Sequence, residues 1–447
     1  MKRTAEKSLK EWYGKRNRHP LVIRGARQVG KSTLVREFCA DERLVLNELN
    51  LYRHLDMTQA FRSLDPKRIC REISDKLSRD ISQPGQLLFL DEIQAIPEAI
   101  DALRYFYEEF PSLPVVSAGS LLEFALSRHK FSMPVGRVQY MFLGPLTFHE
   151  FVSAQDDYLA GLLSIASLRE GISDAAHGRL LALLRRFVFA GGMPEAAQCW
   201  IDTGNVAEVA SVHGRILDTY VDDFAKYAGG ADLALMQRIL MSVPAHVGEK
   251  VKYVNYSREH KAAKVGSVLD LFAKARIICP VCHTDAGGVP LGAEERPDVF
   301  KLLFLDIGLM NHANGLRPRD IESLDDTALV NEGKMAEQFV GQHLFFRGGD
   351  FEKPRLNYWL REGAKNNAEV DYVVENGMEI LPVEVKAGAS GSLKALRQMM
   401  LEKRLGRAIR FDAGKGGRQT VSMGGGASFE LVSLPLYAAC LPLRELI

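Results

Sequence analysis

The chain has 447 residues, with 57 basic against 56 acidic side chains and a formal net charge of +1. That length suggests two to four domains. Apolar residues at 47% and charged residues at 25% exclude a disordered chain, a collagen and a coiled-coil rod, while the near-zero charge excludes a uniformly basic nucleic-acid coat.

Apolar runs at 20–23, 44–46, 87–90, 114–117 and 138–143 alternate with helical patterns. This alternation predicts an α/β domain with a mainly parallel sheet over residues 1–165. Residues 166–240 read as helical, with a break at Ala190-Gly-Gly-Met-Pro194. Over 241–330 the pattern gives short helices, then a hairpin with strands at 277–281 and 288–291. A new unit begins at 331 and runs to 447. It starts with a helix, continues with strands at 356–360, 369–375 and 379–386, and adds a helix at 393–405 and further strands. The glycines at 414–417 and 424–426 read as turns. Six cysteines, at 39, 70, 199, 279, 282 and 440, are too few for a disulfide scaffold. The basic start lacks the apolar core of a signal peptide, and no apolar run approaches the ~20 residues that span a bilayer. A soluble, cytoplasmic protein without membrane contact is expected.

The strongest motif is Gly25-Ala26-Arg27-Gln28-Val29-Gly30-Lys31-Ser32, which fits G-x-x-x-x-G-K-[ST]. The strand pattern Leu21–Ile23 precedes it and the helix pattern Ser32–Cys39 follows it, with Thr33 counted among the nucleotide-binding residues. Glycines let backbone N–H groups wrap a phosphate, and the helix N-terminus adds its positive end. Lys31 is expected to reach the β- and γ-phosphates, and the Ser32 hydroxyl to bind Mg²⁺. Leu87-Leu-Phe-Leu-Asp91-Glu92 supplies two acids at the end of a buried strand, where open α/β sheets bind ligands. Asp91 is expected to hold the metal shell and Glu92 to polarise the attacking water.

These residues resemble the AAA+ ATPases of the P-loop superfamily. Asp91-Glu-Ile-Gln94, Ser117-Ala-Gly-Ser120-Leu-Leu-Glu123, Pro134-Val-Gly-Arg137 and Pro145-Leu-Thr-Phe-His-Glu150-Phe narrow the resemblance to one group. Gly191-Gly-Met-Pro194, Phe300-Lys-Leu-Leu-Phe-Leu-Asp306-Ile-Gly308, Glu369-Val-Asp371-Tyr and Val383-Glu384-Val-Lys386 match the same group. It comprises the bacterial and archaeal AAA-type ATPases with a C-terminal DUF4143 domain. The resemblance implies ATP as ligand and 166–240 as a helical lid. It also implies a polar γ-phosphate sensor at Ser120, with Ser117 second, and a charge-neutralising arginine at Arg137, with Arg128 as competitor. Arg137 is expected near the nucleotide side of the sheet. An arginine acting in trans would make the protein a homo-oligomer. The acids of Tyr220-Val-Asp-Asp-Phe-Ala-Lys226 are expected on a solvated lid face.

Residues 245–292 resemble a winged helix, with helices at 253–264 and 267–275 before the hairpin. Its recognition helix offers few groove-reading side chains, so Lys250, Lys252, Arg258, Lys261 and Lys264 are the better phosphate contacts. Cys279-Pro-Val-Cys282-His283 formally matches a haem-attachment sequence and half a zinc site. The odd spacing puts the two thiols on opposite faces of a strand, which favours a structural role.

In the last unit Glu337 on a helix, Asp371 on a strand, and Glu384 and Lys386 two apart on the next strand resemble the PD-(D/E)xK nuclease fold. Such chemistry needs carboxylates around a metal and a lysine to steady charge or water. Asp371 and Glu384 are the candidate metal ligands and Lys386 the cation. Over 386–418, nine basic residues face only Glu402 and Asp412, and Lys394, Arg397, Lys403, Arg404, Arg407 and Arg410 could track a phosphate backbone. An active nuclease, an inactive nucleic-acid binder and a protein-interaction module all remain open for this unit. Together the features point to an ATPase directed at nucleic acid, DNA favoured. A slow ATP switch gathering protein partners is the alternative, and a membrane transport motor is disfavoured.

Overall fold

The computed structural model describes residues 1–119, 122, 136–163, 171–227, 233–316, 333–363, 367–387, 393–424 and 426–442. Strands β1 (Leu21–Arg24), β2 (Val45–Asn50), β3 (Gln86–Asp91), β4 (Val115–Ala118) and β5 (Gln139–Phe142) form one parallel sheet in the order β2-β3-β4-β1-β5. The run Leu87-Leu-Phe-Leu90 is apolar on both faces, as a doubly covered parallel strand requires. Leu87 and Phe89 pack with helices Ala5–Tyr13 and Lys31–Asp41 on one face. Leu88 and Leu90 pack with Thr58–Arg62, Pro66–Leu77 and Pro97–Glu109 on the other.

The expected helical stretch is present as Asp174–Ala190, Pro194–Thr203, Val206–Tyr227 and Leu233–Ser242. Its break falls at Gly191, whose positive φ of 72° ends the first helix. The segment expected as a winged helix departs from that pattern. The separate helix expected over 253–264 does not form. A 3₁₀ turn (Tyr253–Asn255) is followed by a non-helical stretch, where Ser257 Oγ lies 2.9 Å from His260 Nδ1, and one helix, Ala262–Lys274. The hairpin is β6 (Ile278–Thr284) and β7 (Glu295–Phe304). Residues 288–291 are not its second strand, because Pro290 has no N–H for the ladder and the chain turns again at Leu291–Glu294.

That hairpin is the edge of a second, mixed sheet. With β8 (Asn357–Arg361), β9 (Ala368–Asn376), β10 (Glu379–Val385), β11 (Arg407–Asp412), β12 (Gly417–Gly424) and β13 (Ala427–Pro435) it runs β12-β13-β11-β10-β9-β8-β6-β7. Cys282 and His283 pair in parallel with Asn357 and Tyr358, so a division at residue 330 would cut a hydrogen-bonded sheet. Helix Lys394–Lys403 covers one face through Leu396, Met399 and Met400. Helix Gly333–Phe345 covers the other, and its apolar core is continuous with that of the first sheet. Among the described residues no helix is long and apolar enough to cross a membrane.

Candidate nucleotide site and carboxylate cluster

The loop 25–30 joins β1 to helix Lys31–Asp41, and its backbone explains its glycines. Gly30 has φ of 91°, a left-handed conformation that glycine adopts without strain. A Cβ on Gly25 would lie 2.3 Å from the Leu143 carbonyl oxygen, so only glycine lets the chain leaving β5 pass so close. Lys31 Nζ donates to the carbonyls of Gly25 at 3.1 Å and Ala26 at 2.7 Å. Burial pulls its ammonium down to about 8, against the upward pull of Glu92 and Asp91. Phosphate oxygens in the loop would reverse that pull.

The sheet order brings the second motif to the first. Ser32 Oγ donates to Asp91 Oδ1 at 3.2 Å. Burial and the neighbouring Glu92 raise the Asp91 carboxyl. Glu92 sits in the left-handed region at φ 52°, and Gln94 Nε2 donates to its Oε2 at 2.6 Å. The Gln94 side chain fits because residue 119 is glycine; a Cβ there would lie 2.2 Å from Gln94 Oε1.

Several residues that local pattern did not single out complete this site. Asn50 is the register partner of Asp91 and donates to its Oδ2 at 3.4 Å. Arg3 Nη1 donates to the loop carbonyl of Val29 at 3.0 Å, Nη2 to Gly144 O at 2.9 Å, and Nε to Glu150 Oε1 at 3.3 Å. Thr4 N–H and hydroxyl and Thr147 N–H also donate to Glu150. Burial would raise the Glu150 carboxyl, but Arg3 and these donors hold it below its ordinary value. Tyr220 donates to Arg27 O at 3.0 Å, and Asp223 accepts from the Arg27 guanidinium. Asp223 is only 4% exposed, so this acid is not on a solvated face as expected; it clasps the loop. The charge of Arg276 also acts on Lys31.

The remaining predicted residues fare differently. Ser120 and Arg128 lie outside the described residues. Ser117 is buried in β4 and donates to Leu21 O at 3.3 Å, a contact inside the sheet. Arg137 is not on the nucleotide side of its own sheet. It precedes β5, which runs parallel to β1, so it lies at the opposite end from residue 25. By the register Arg137 is level with residue 19, six residues from residue 25, roughly 20 Å. There Arg137 Nε pairs with Glu108 Oε1 at 2.7 Å. Cys279 and Cys282 lie on β6, and burial pushes both thiols up to about 12, which suits packing and not ligation.

In the second sheet Asp371 on β9 and Glu384 on β10 are brought side by side. Asp371 Oδ2 accepts the Val385 N–H at 2.7 Å. Lys386, just past the strand, donates to Glu384 Oε1 at 2.5 Å. Burial, then Asp371, push the Glu384 carboxyl up to about 7. Glu337 is near but bound to Lys301, a residue the sequence pattern did not single out. Burial and Asp371 push Glu337 up to about 7 despite that lysine, as excess negative charge requires. The basic window is less open than its composition suggests. Arg407 pairs with Glu430 and Glu379, and Arg410 with Asp412. Lys394, Arg397 and Arg404 stay exposed, as do Lys252, Arg258, Lys261 and Lys264.

A phosphate loop, an acidic strand end beside it and a second, mixed sheet define an AAA-type ATPase architecture. Residues 17–152 match the AAA domain family, 181–320 a domain of unknown function (DUF8612), and 332–435 a domain of unknown function (DUF4143). The chain thus carries an AAA domain and a C-terminal DUF4143 domain. No curated protein matches it. Among solved structures, the Aeropyrum pernix Orc1 protein in complex with DNA is similar at 12% identity, covering 70% of this chain and 91% of that one, with a TM-score of 0.27. The Thermotoga maritima RuvB Holliday junction branch migration motor is similar at 15% identity over 62% and 84%, with a TM-score of 0.26. PCH-2 of C. elegans is similar at 11% identity over 48% and 56%, with a TM-score of 0.24.

Proposed function

We propose that the protein binds ATP with Mg²⁺ in the loop 25–32 and hydrolyses it. The observation that carries this reading is the approach of Ser32 Oγ to Asp91 Oδ1 next to Lys31. Two hard oxygen donors at that spacing fit Mg²⁺, which would draw charge from the phosphates when bound. The loop N–H groups and Lys31 hold the β- and γ-phosphates. Glu92 orients water and takes its proton as the oxygen–phosphorus bond forms and the β–γ bridge breaks. Gln94 steadies Glu92, Thr33 follows Ser32 on the loop's helix, and Ser120 is the candidate γ-phosphate sensor from the sequence. Arg137, remote from its own loop, acts in trans in a homo-oligomer.

The target is nucleic acid, DNA favoured. Exposed Lys252, Arg258 and Lys261, and Lys394, Arg397 and Arg404, supply cations for phosphates. Asp371 and Glu384, with Lys386, form a nuclease-type metal site: Glu384 is buried and its Oε2 has no hydrogen-bond partner, which fits a cation beside it. The second reading is a slow switch with protein partners. It is favoured by the ion pairs that occupy Arg407 and Arg410.

One experiment tests both. ATP turnover with Mg²⁺ is measured with and without single- and double-stranded DNA, following DNA integrity in the same tubes. Lys31→Ala should abolish turnover, and Glu92→Gln should keep ATP bound while slowing hydrolysis. Normal turnover in Lys31→Ala would remove the loop assignment. Stimulation by DNA supports the nucleic-acid reading; no stimulation and no cleavage favour the switch.

A further inference from the structure

Lys301 on β7 is fully buried, yet it carries an ammonium into an acidic corner of the second sheet. Its Nζ lies 2.5 Å from Glu337 Oε1 and 3.4 Å from Glu369 Oε1. The rings of Tyr372 and Tyr358 flank it, with centroids at 4.8 and 5.2 Å. A buried charge survives only when paired, and here two carboxylates and two aromatic faces supply the pairing. The position is built: Tyr372 hydroxyl donates to Glu337 O at 2.9 Å, and a Cβ on Gly248 would lie 2.6 Å from Glu337 Oε2. Glu337 is therefore fixed from its backbone to its carboxylate.

The neighbouring carboxylates are held otherwise. Asp371 accepts a backbone N–H, and Glu384 gives one oxygen to Lys386 while Oε2, buried, has no partner. Glu337, Glu369, Asp371 and Glu384 outnumber the ammonium groups hydrogen-bonded among them, Lys301 and Lys386, whose bonds go to Glu337, Glu369 and Glu384 Oε1. A divalent cation beside Asp371 and Glu384 would offset their mutual repulsion. Among the described residues no group of three His, Cys, Asp or Glu side chains is arranged to hold a metal ion. A site with every carboxylate converging on metal is thus not what the fold builds.

We infer that Lys301 is a built-in counter-ion that claims Glu337 and Glu369, leaving Asp371 and Glu384 as a two-carboxylate site for a single divalent cation. The inference rests on the reading of this cluster as metal-binding, and it assigns Glu337 a positioning role instead of a ligand's. It also gives Lys301 the place that a second cation would take.

The test is a Mn²⁺ titration of the full chain without nucleotide, read by the loss of the free-ion electron paramagnetic resonance signal. An Asp91→Asn background removes the loop as a competing site. One Mn²⁺ per chain is expected. Asp371→Asn and Glu384→Gln should each weaken binding at least tenfold, whereas Glu369→Gln and Glu337→Gln should change it less than threefold. Lys301→Met should raise the stoichiometry toward two. Because that variant leaves buried carboxylates unpaired, the double change Lys301→Met with Glu337→Gln provides a neutral replacement; it should fold and keep one site. Loss of binding in Glu337→Gln or Glu369→Gln equal to that in Glu384→Gln would overturn the role of Lys301 while leaving a metal site. No Mn²⁺ bound in the parent would overturn the metal reading itself, and this inference with it.

Discussion

Replacing Arg3 with methionine keeps an unbranched apolar stem and removes the guanidinium that ties the N-terminus to the phosphate loop. Arg3 and Glu150 are 8% and 3% exposed at their side chains, so water does not screen the pair. Breaking a buried ion pair from one side costs about 3–5 kcal/mol. Glu150 keeps Thr4 N–H at 2.6 Å, Thr4 hydroxyl at 2.8 Å and Thr147 N–H at 2.8 Å, so its charge is not orphaned, and the low end applies. The Val29 and Gly144 carbonyls each lose a donor, which adds about 1 kcal/mol apiece at most. A loss of about 3–5 kcal/mol at pH 7.5 is expected from urea unfolding. The sign with pH follows from Glu150, whose folded value lies below its unfolded one. Its contribution is complete above about pH 4.3 and fades as pH falls through the folded value. The gap between wild type and variant should therefore narrow below about pH 4.3. Freed at Val29, the loop should also bind a fluorescent ATP analogue about tenfold more weakly, or 1.4 kcal/mol. A stability loss under about 1 kcal/mol, or one that does not change down to pH 3.5, would refute the clamp.

Two further substitutions probe the loop directly. Gly25→Ala sets a methyl 2.3 Å from Leu143 O and 3.1 Å from Val29 Cγ2. The backbone has to open by about 1 Å, costing about 1–3 kcal/mol of stability and about a hundredfold in turnover. Wild-type turnover would show that the loop tolerates the displacement. Asp223→Asn weakens the clasp on Arg27, which is 38% exposed at its side chain, so the stability cost is only about 1 kcal/mol. ATP affinity should shift severalfold and lose part of its salt dependence; an unchanged affinity and salt slope would leave the clasp structural.

The loop and Asp91 were legible because spacing along one segment specifies them. The strands around them were too, since period and flanking turns are local signals. What escaped was set by distant partners. Arg3 reads as one more basic residue near the N-terminus until the fold places it against Val29 and Glu150. Asp223 reads as one acid of a polar helix face until Arg27 meets it. Lys301 sits in the apolar half of its strand, between Phe300 and Leu302, where a lone lysine gives no hint of which carboxylates await it. Arg137 was misplaced for a different reason: being near a strand does not say which end, and a parallel sheet sends the two ends to opposite edges. The hairpin at 278–304 was read as a wing because local pattern gives strands and not their neighbours. Its pairing with Asn357 and Tyr358 spans more than 70 residues of chain and leaves no local trace.

Several of the contacts that join the two sheets run through the segment Arg3 also grips. Leu146 N–H donates to Gly192 O at 2.7 Å, and Gly192 N–H to Asp306 Oδ2 at 2.6 Å. Gly191 must be glycine there, because a Cβ would lie 2.1 Å from Asp306 Oδ1. Phe148 N–H donates to His343 Nε2 at 2.9 Å. Burial drops that imidazole to about 4, so it is neutral at pH 7 and keeps the lone pair that accepts. Phe148, Phe187 and Phe339 pack edge to face beside it, joining residues from three stretches of chain. Gln342 then accepts from Ile307 N–H, and Gln338 both accepts from and donates to Phe304. Most of these bonds end on a backbone group, so side-chain rotation cannot absorb a displacement of the 144–150 segment. Helix Gly333–Phe345 carries His343, Gln342 and Gln338 on this side and Glu337 toward Lys301. The segment that fixes the phosphate loop and the helix that fixes the carboxylate cluster are therefore one hydrogen-bonded frame.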